Sequence, residues 1–292
     1  MKLATLRTGA GMDGGEGGRT RAVVLDEDTL VELDAPDVGV FLALPEWKRR
    51  AAAAQSDTSA VRHPADGADL ATLIPTPSKV VCVGLNYRTH IREMGRDLPD
   101  HPTLFSKFAD TLIGARDEIV RPPETDEFDW EVELAVVIGA TVRRATRAQA
   151  EAAIAGFTVL NDITCRDWQF RTREWLQGKN WDSTTPVGPF LVTPDGLPGG
   201  TRPKLRVTLA VDGKVMQSDT TADLLFDPVA LVQYISTIVR LNPGDLIATG
   251  TPGGVGHARD PKRYLVGGEV VVAEIEGVGR LENVVIKEVT PQ

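Results

Sequence analysis

Short apolar runs, punctuated by glycine, proline and acidic turns, recur along the chain and predict many short strands with few helices. Residues 22–25 and 29–33 are two such runs joined by Asp26-Glu27-Asp28, which predicts a hairpin. Residues 42–54 read as a short helix. Six glycines stand between residues 9 and 18, read as a flexible hairpin tip. A phosphate loop is disfavoured there, because the Lys-Ser/Thr ending and a following apolar helix are missing. The proline-punctuated stretch 63–77 places a boundary between a small N-terminal α/β unit with its connector, 1–74, and a larger unit, 75–292.

The larger unit is strand-rich. Lys79-Val80-Val81-Cys82-Val83 has the pattern of a buried strand, followed by further strands at 130–138 and 157–163. Between the last two, Thr146 and Gln149 form a capping box that opens a helix over 146–155. Asp227-Pro228 is an N-cap followed by proline at the first helical position, with Leu231, Ile235 and Ile238 at helical spacing. Pro243-Gly244-Asp245 turns into a strand at 246–249, and 269–275 with 281–286 predicts a hairpin. The expected fold class is α+β and strand-rich, a mixed β-sandwich or β-roll with a small N-terminal domain.

Bulk charge narrows the partners. The net charge is −9 and the sequence pI is near 5.1, which disfavours nucleic acid and anionic membrane surfaces. An acidic protein acting on an anionic substrate needs a local positive site from a metal, Arg or Lys. No run of about 18 apolar residues occurs, and the N-terminus lacks the apolar core of a signal peptide, so the cytoplasm is expected. Cys82 and Cys165 form no CxxC pair and read as two reduced thiols.

Candidate chemistry begins at Asp129-Trp130-Glu131-Val132-Glu133. Side chains alternate along a strand, so Glu131 and Glu133 face the same way, about 7 Å apart. Two acids so placed either lie on a solvated edge or hold a cation between them, and all-oxygen ligands select Mg²⁺, Mn²⁺ or Ca²⁺. Asp162 ends an apolar strand, where loops gather groups into sites. Arg166 and Gln169 are three apart and share a helical face suited to a substrate carboxylate; Arg166 could instead pair with Asp162 or Asp167. His90 and Glu93 share one side of a short helix; such a pair is either a surface contact or, with the carboxylate orienting the imidazole, suited to activate water.

Taken in order, these segments carry a resemblance. Val83-Gly84-Leu85-Asn86-Tyr87…His90-Ile91-Arg92-Glu93 is followed by Pro102-Thr103-Leu104-Phe105-Ser106-Lys107 and Trp130-Glu131-Val132-Glu133-Leu134. Asn161-Asp162…Arg166-Asp167…Gln169, Gly178-Lys179 and Thr249-Gly250-Thr251-Pro252 complete the series. From about residue 78 to 286 the chain resembles the catalytic domain of the fumarylacetoacetate hydrolase family. The resemblance implies a homodimer and a Mg²⁺ or Mn²⁺ ion, with Ca²⁺ as a substitute, held by Glu131, Glu133 and Asp162. It implies His90 and Glu93 as the water-activating pair, Lys179 as an electrostatic partner of the substrate, and Tyr87, Arg166, Gln169 and Thr251 as pocket residues. An additional Asp ligand that longer members carry before their catalytic His is absent from Asn86-Tyr87-Arg88-Thr89, so three protein ligands are expected. Cys165 stands where small members often carry Ala and reads as a packing detail, the alternative being a thiol near enough to the metal to be oxidisable.

The family's substrates are 2-oxo acids and 1,3-diketones, whose enolate charge a metal can collect. The leading expectation is hydrolysis of an acylpyruvate such as fumarylpyruvate. The alternatives are oxaloacetate decarboxylation or tautomerisation, hydroxymuconate-type isomerisation, and a non-catalytic metal-binding scaffold.

Overall fold

The computed structural model describes residues 1–9, 19–93, 95 and 97–289. The glycine-rich tip expected near 9–18 lies almost wholly outside the described residues. The strand-rich α+β class holds: two mixed sheets carry the chain, and the helices are short.

The larger sheet runs across the whole molecule. Its order is Arg62–Pro64, Thr29–Glu32, Thr20–Asp26, Lys2–Arg7, Thr185–Val192, Ile154–Asn161, Val132–Ile138, Leu246–Ala248, Val80–Gly84 and Thr103–Lys107. Neighbours on that path are antiparallel except Leu246–Ala248 with Val80–Gly84, which run parallel. Lys2–Arg7 bonds directly to Thr185–Val192, so the N-terminal strands extend the same sheet as the strands after residue 75. The region 42–54 holds parts of two helices, Val38–Leu42 and Trp47–Ser56, with Asp37 capping the first through the Val40 N–H.

The smaller sheet has the order Lys214–Thr220, Arg206–Val211, Val270–Ile275, Gly279–Lys287 and Ile119–Arg121, and contains the hairpin expected near the C-terminus. Period-two alternation explains how one strand serves two cores. Val132, Leu134 and Val136 join Val207, Leu209, Val271 and Leu281 in the cluster between the sheets. Ala135 and Val137 point the other way, into the cluster with Phe41, Leu42 and Trp47. Every residue of Val132–Ile138 is therefore buried, and the strand is central, which removes the solvated-edge reading of the two glutamates. The capping box of Thr146 and Gln149 and the Asp227 cap on the Ala230 N–H both form as the sequence predicts.

Candidate functional site

Strand register assembles the three acids. Val132 pairs with Asn161, which sets Glu131 and Asp162 side by side just beyond the paired segment. There the Asp162 N–H donates to the Glu131 carbonyl at 2.8 Å. Glu133 lies one step further along the same face. Ligand oxygens of Glu131, Glu133 and Asp162 all fall within 4.8 Å of one another, and all three residues are buried. Leu246–Ala248 flanks the strand on its other side, and the chain then turns at Gly250, whose φ of +98° suits glycine. That turn aims the Gly250 N–H at Glu133 Oε2, 2.6 Å away.

Three cations answer these acids. Lys179 Nζ bridges Glu131 Oε2 at 2.8 Å and Asp162 Oδ2 at 2.7 Å. It is delivered by the helix Leu176–Lys179, packed so tightly that a Cβ on Gly178 would stand 2.5 Å from the Gln169 backbone. Lys107 Nζ sits 2.7 Å from Asp162 Oδ1 and donates also to the Lys179 carbonyl. Arg166 pairs with Asp129 at 2.8 Å and Glu131 at 2.6 Å, and not with the sequence neighbours Asp162 or Asp167. Its Nη1 donates to Gln169 Oε1 at 2.9 Å. Nη2 is the atom ion-paired with Glu131, without good hydrogen-bond geometry toward it, so it is the Arg166 donor least firmly held.

Charge within the cluster is uneven. Burial alone would raise the Glu131 and Asp162 carboxyls, but the neighbouring cations outweigh it and hold both below the usual carboxylate range. Glu133 goes the other way: burial, then Asp162 and Glu131, push its carboxyl well above that range. Four buried acids, counting Asp129, face three buried cations, Lys107, Arg166 and Lys179, so one acid is left without a cation. Among the described residues no cation lies within ion-pair distance of Glu133, so the deficit falls there. An all-oxygen trio whose third acid keeps its proton for want of a cation fits a hard divalent ion, and Glu131, Glu133 and Asp162 are the residues that would hold it.

The cluster opens into a cavity of about 80 Å³. Its polar lining is Glu131, Glu133, Arg166, Gln169, Lys179, Thr251 and His90, and its apolar lining includes Val83, Leu85, Phe105, Phe170 and Trp175. His90 and Glu93 lie on the helix Arg88–Glu93, with His90 Nδ1 3.4 Å from Glu93 Oε2. Fully buried Asn86 fixes the approach to that helix by bonding Phe226 and the Thr249 carbonyl, and Arg88 donates to the carbonyls of Asp223 and Leu224.

Two expected pocket residues have other surroundings. Tyr87 is fully enclosed behind the wall, its hydroxyl buried without a partner. The Thr251 hydroxyl reaches the cavity already engaged, donating to the Val132 carbonyl at 3.0 Å and accepting from Gln217 Nε2 at 2.8 Å. Both cysteines are free and buried, and burial pushes the Cys165 thiol up to about 12, which keeps it protonated and unreactive. Lys107 and Asp129 are the residues to which the sequence assigns no role. A lysine ending an apolar strand is the one signal for Lys107; nothing local identifies the partner of Asp129.

Residues 79–286 match the family model described as the fumarylacetoacetate hydrolase C-terminal domain. The bovine (Bos taurus) mitochondrial oxaloacetate tautomerase FAHD2A is 45% identical over 215 residues, covering 73% of this chain and 68% of the relative. Its mitochondrial name lends the cytoplasmic expectation no support. A fumarylacetoacetate hydrolase from Exiguobacterium antarcticum superposes with a TM-score of 0.83 at 31% identity, covering 99% of this chain and 100% of that one. A 2-hydroxyhepta-2,4-diene-1,7-dioate isomerase from Mycobacterium marinum gives 0.77 at 29%, again covering 99% and 100%. No helix among the described residues is long and apolar enough to cross a membrane. On its matched residues and its solved neighbours, the chain belongs to the fumarylacetoacetate hydrolase family.

Proposed function

We propose that this protein interconverts the enol and keto forms of a short 2-oxo dicarboxylic acid, with oxaloacetate as the substrate. The observation that carries the reading is one cavity lined by Glu131, Glu133, Lys179 and His90, with Asp162 completing the acid trio and Glu93 beside His90. A divalent ion held by Glu131, Glu133 and Asp162, Mg²⁺ or Mn²⁺, would supply a Lewis acid for the keto oxygen of such an acid. Arg166 and Gln169 bind and orient a carboxylate. Lys179, kept charged because Asp162 and Glu131 outweigh its burial, stabilises negative charge on the substrate oxygen. His90, oriented by Glu93, takes the proton from the carbon beside the keto group and returns one. The apolar wall of Phe105, Phe170 and Trp175 keeps bulk water from the enolate.

Tautomerisation displaces acylpyruvate hydrolysis as the leading reading because the tautomerase relative shares 45% identity, against 31% for the solved hydrolase. Hydrolysis remains the second reading, since His90 beside Glu93 is also placed to activate water. A panel of oxaloacetate, acylpyruvates and hydroxymuconate derivatives, with pyruvate, CO₂ and enol absorbance followed separately and EDTA as control, tests the assignment. Enol loss from oxaloacetate faster than any C–C cleavage supports it; rapid acylpyruvate cleavage without enol–keto turnover refutes it.

A further inference from the structure

Asp129 is fully buried, and its two oxygens accept four hydrogen bonds. Oδ1 accepts from the backbone N–H groups of Trp130 at 2.8 Å and Gly256 at 2.7 Å. Oδ2 accepts from the His257 N–H at 3.0 Å and from Arg166 Nε at 2.8 Å. Three of these donors are backbone groups whose positions the chain fixes. The fourth belongs to a long side chain that lines the cavity, while Asp129 itself does not.

A guanidinium gripped at Nε has its planar fork aimed, because its five N–H groups are rigidly related. Held there, Arg166 gives Nη1 to Gln169 and sets Nη2 against Glu131 in an ion pair of poor hydrogen-bond geometry, which opens when Glu131 turns to a cation. Asp129 also matches the Arg166 charge from the side away from the cavity. Arg166 thus stays compensated when Glu131 turns to a cation, an arrangement that a buried arginine needs. We propose that Asp129 is a positioning residue, which aims the Arg166 fork so that Nη2 takes up a carboxylate of the bound 2-oxo acid. This rests on the reading of Arg166 as the carboxylate-binding group.

Asp129→Asn keeps the shape and removes half of the acceptor capacity. The remaining carbonyl oxygen is best used on the two fixed donors of Trp130 and Gly256, so the amide NH₂ faces Arg166 and turns the fork away. Steady-state kinetics on Asp129→Asn, Arg166→Ala and the double variant test this, with melting temperature recorded for each. Asp129→Asn should lower kcat/KM about ten- to a hundredfold, the loss of one well-aimed charged hydrogen bond. In the Arg166→Ala background the same change should cost less than about twofold, because the residue acts only through Arg166. Arg166→Lys keeps the charge but not the fork, and should be impaired nearly as much as Arg166→Ala; it serves where Asp129→Asn fails to fold. A full Asp129→Asn loss repeated without Arg166, or a wild-type Arg166→Lys enzyme, overturns the positioning role alone. Unaltered kcat/KM in Arg166→Ala overturns the carboxylate reading and the positioning role with it.

Discussion

Asp162→Asn probes the acid cluster at its most constrained point. Asp162 is completely buried, and each carboxylate oxygen takes one lysine at 2.7 Å, Lys107 on Oδ1 and Lys179 on Oδ2. An amide presents NH₂ to one of those ammonium groups and carries no charge, so one buried lysine loses its partner. Breaking a buried pair from one side costs about 3–5 kcal/mol, and this is the expected loss in the metal-free protein. The variant also removes one of the three oxygen groups proposed to hold the ion. In the wild type, Mg²⁺ or Mn²⁺ at about 100 times its dissociation constant should add roughly 2.7 kcal/mol; in Asp162→Asn that increment should vanish. Urea unfolding with and without the ion, beside metal analysis after gel filtration, reads both quantities. An Asp162→Asn protein that gains the full metal increment would refute the assignment of this residue as a ligand. Unchanged metal-free stability would refute the ledger of buried charges.

The remaining expectations follow from the same charges. Glu131 and Asp162 are held below the usual carboxylate range, so their stabilisation is complete above about pH 4.3, near the unfolded values, and is lost as pH falls through the folded values. Acid titration of unfolding should show that loss, and Lys107→Met should diminish it. Glu133 has the opposite sign: its carboxyl is raised and stays protonated above about pH 4.3, so a cation must displace the proton. Metal affinity should therefore rise with pH while about one proton is released per ion, measurable by calorimetry in two buffers of different ionisation heat. His90→Ala should lower enol–keto turnover about 10²–10⁴-fold with metal content unchanged; a smaller loss than tenfold removes His90 as the proton carrier.

Local features of the site were legible in the sequence because their causes are local. Alternation along one strand puts Glu131 and Glu133 on one face, helical spacing joins His90 to Glu93 and Arg166 to Gln169, and caps mark the helix starts. What the sequence hid depends on pairing between distant segments. The contact of Lys107 with Asp162 spans 55 positions, and that of Arg166 with Asp129 spans 37, so neither follows from spacing. Arg166 paired with neither nearby acid because both its partners, Asp129 and Glu131, stand just before the strand Val132–Ile138, four elements earlier in the chain. Likewise the proline-rich stretch 63–77 has the composition of a linker, yet Arg62–Pro64 pairs with Thr29–Glu32 and the sheet continues through Lys2–Arg7 into the site strands. Strand partners are set by the closure of the sheet, which no single run of residues records.

The central claim is that the buried acid trio drives enolate chemistry on a 2-oxo acid. Its most direct measurement is the loss of oxaloacetate enol absorbance under wild-type protein with Mg²⁺, with EDTA, and under Glu131→Gln with Mg²⁺. Rapid decay is expected in the first case and decay at the protein-free rate in the other two. Decay by Glu131→Gln or by the EDTA-treated protein as fast as by the metal-loaded wild type would contradict it.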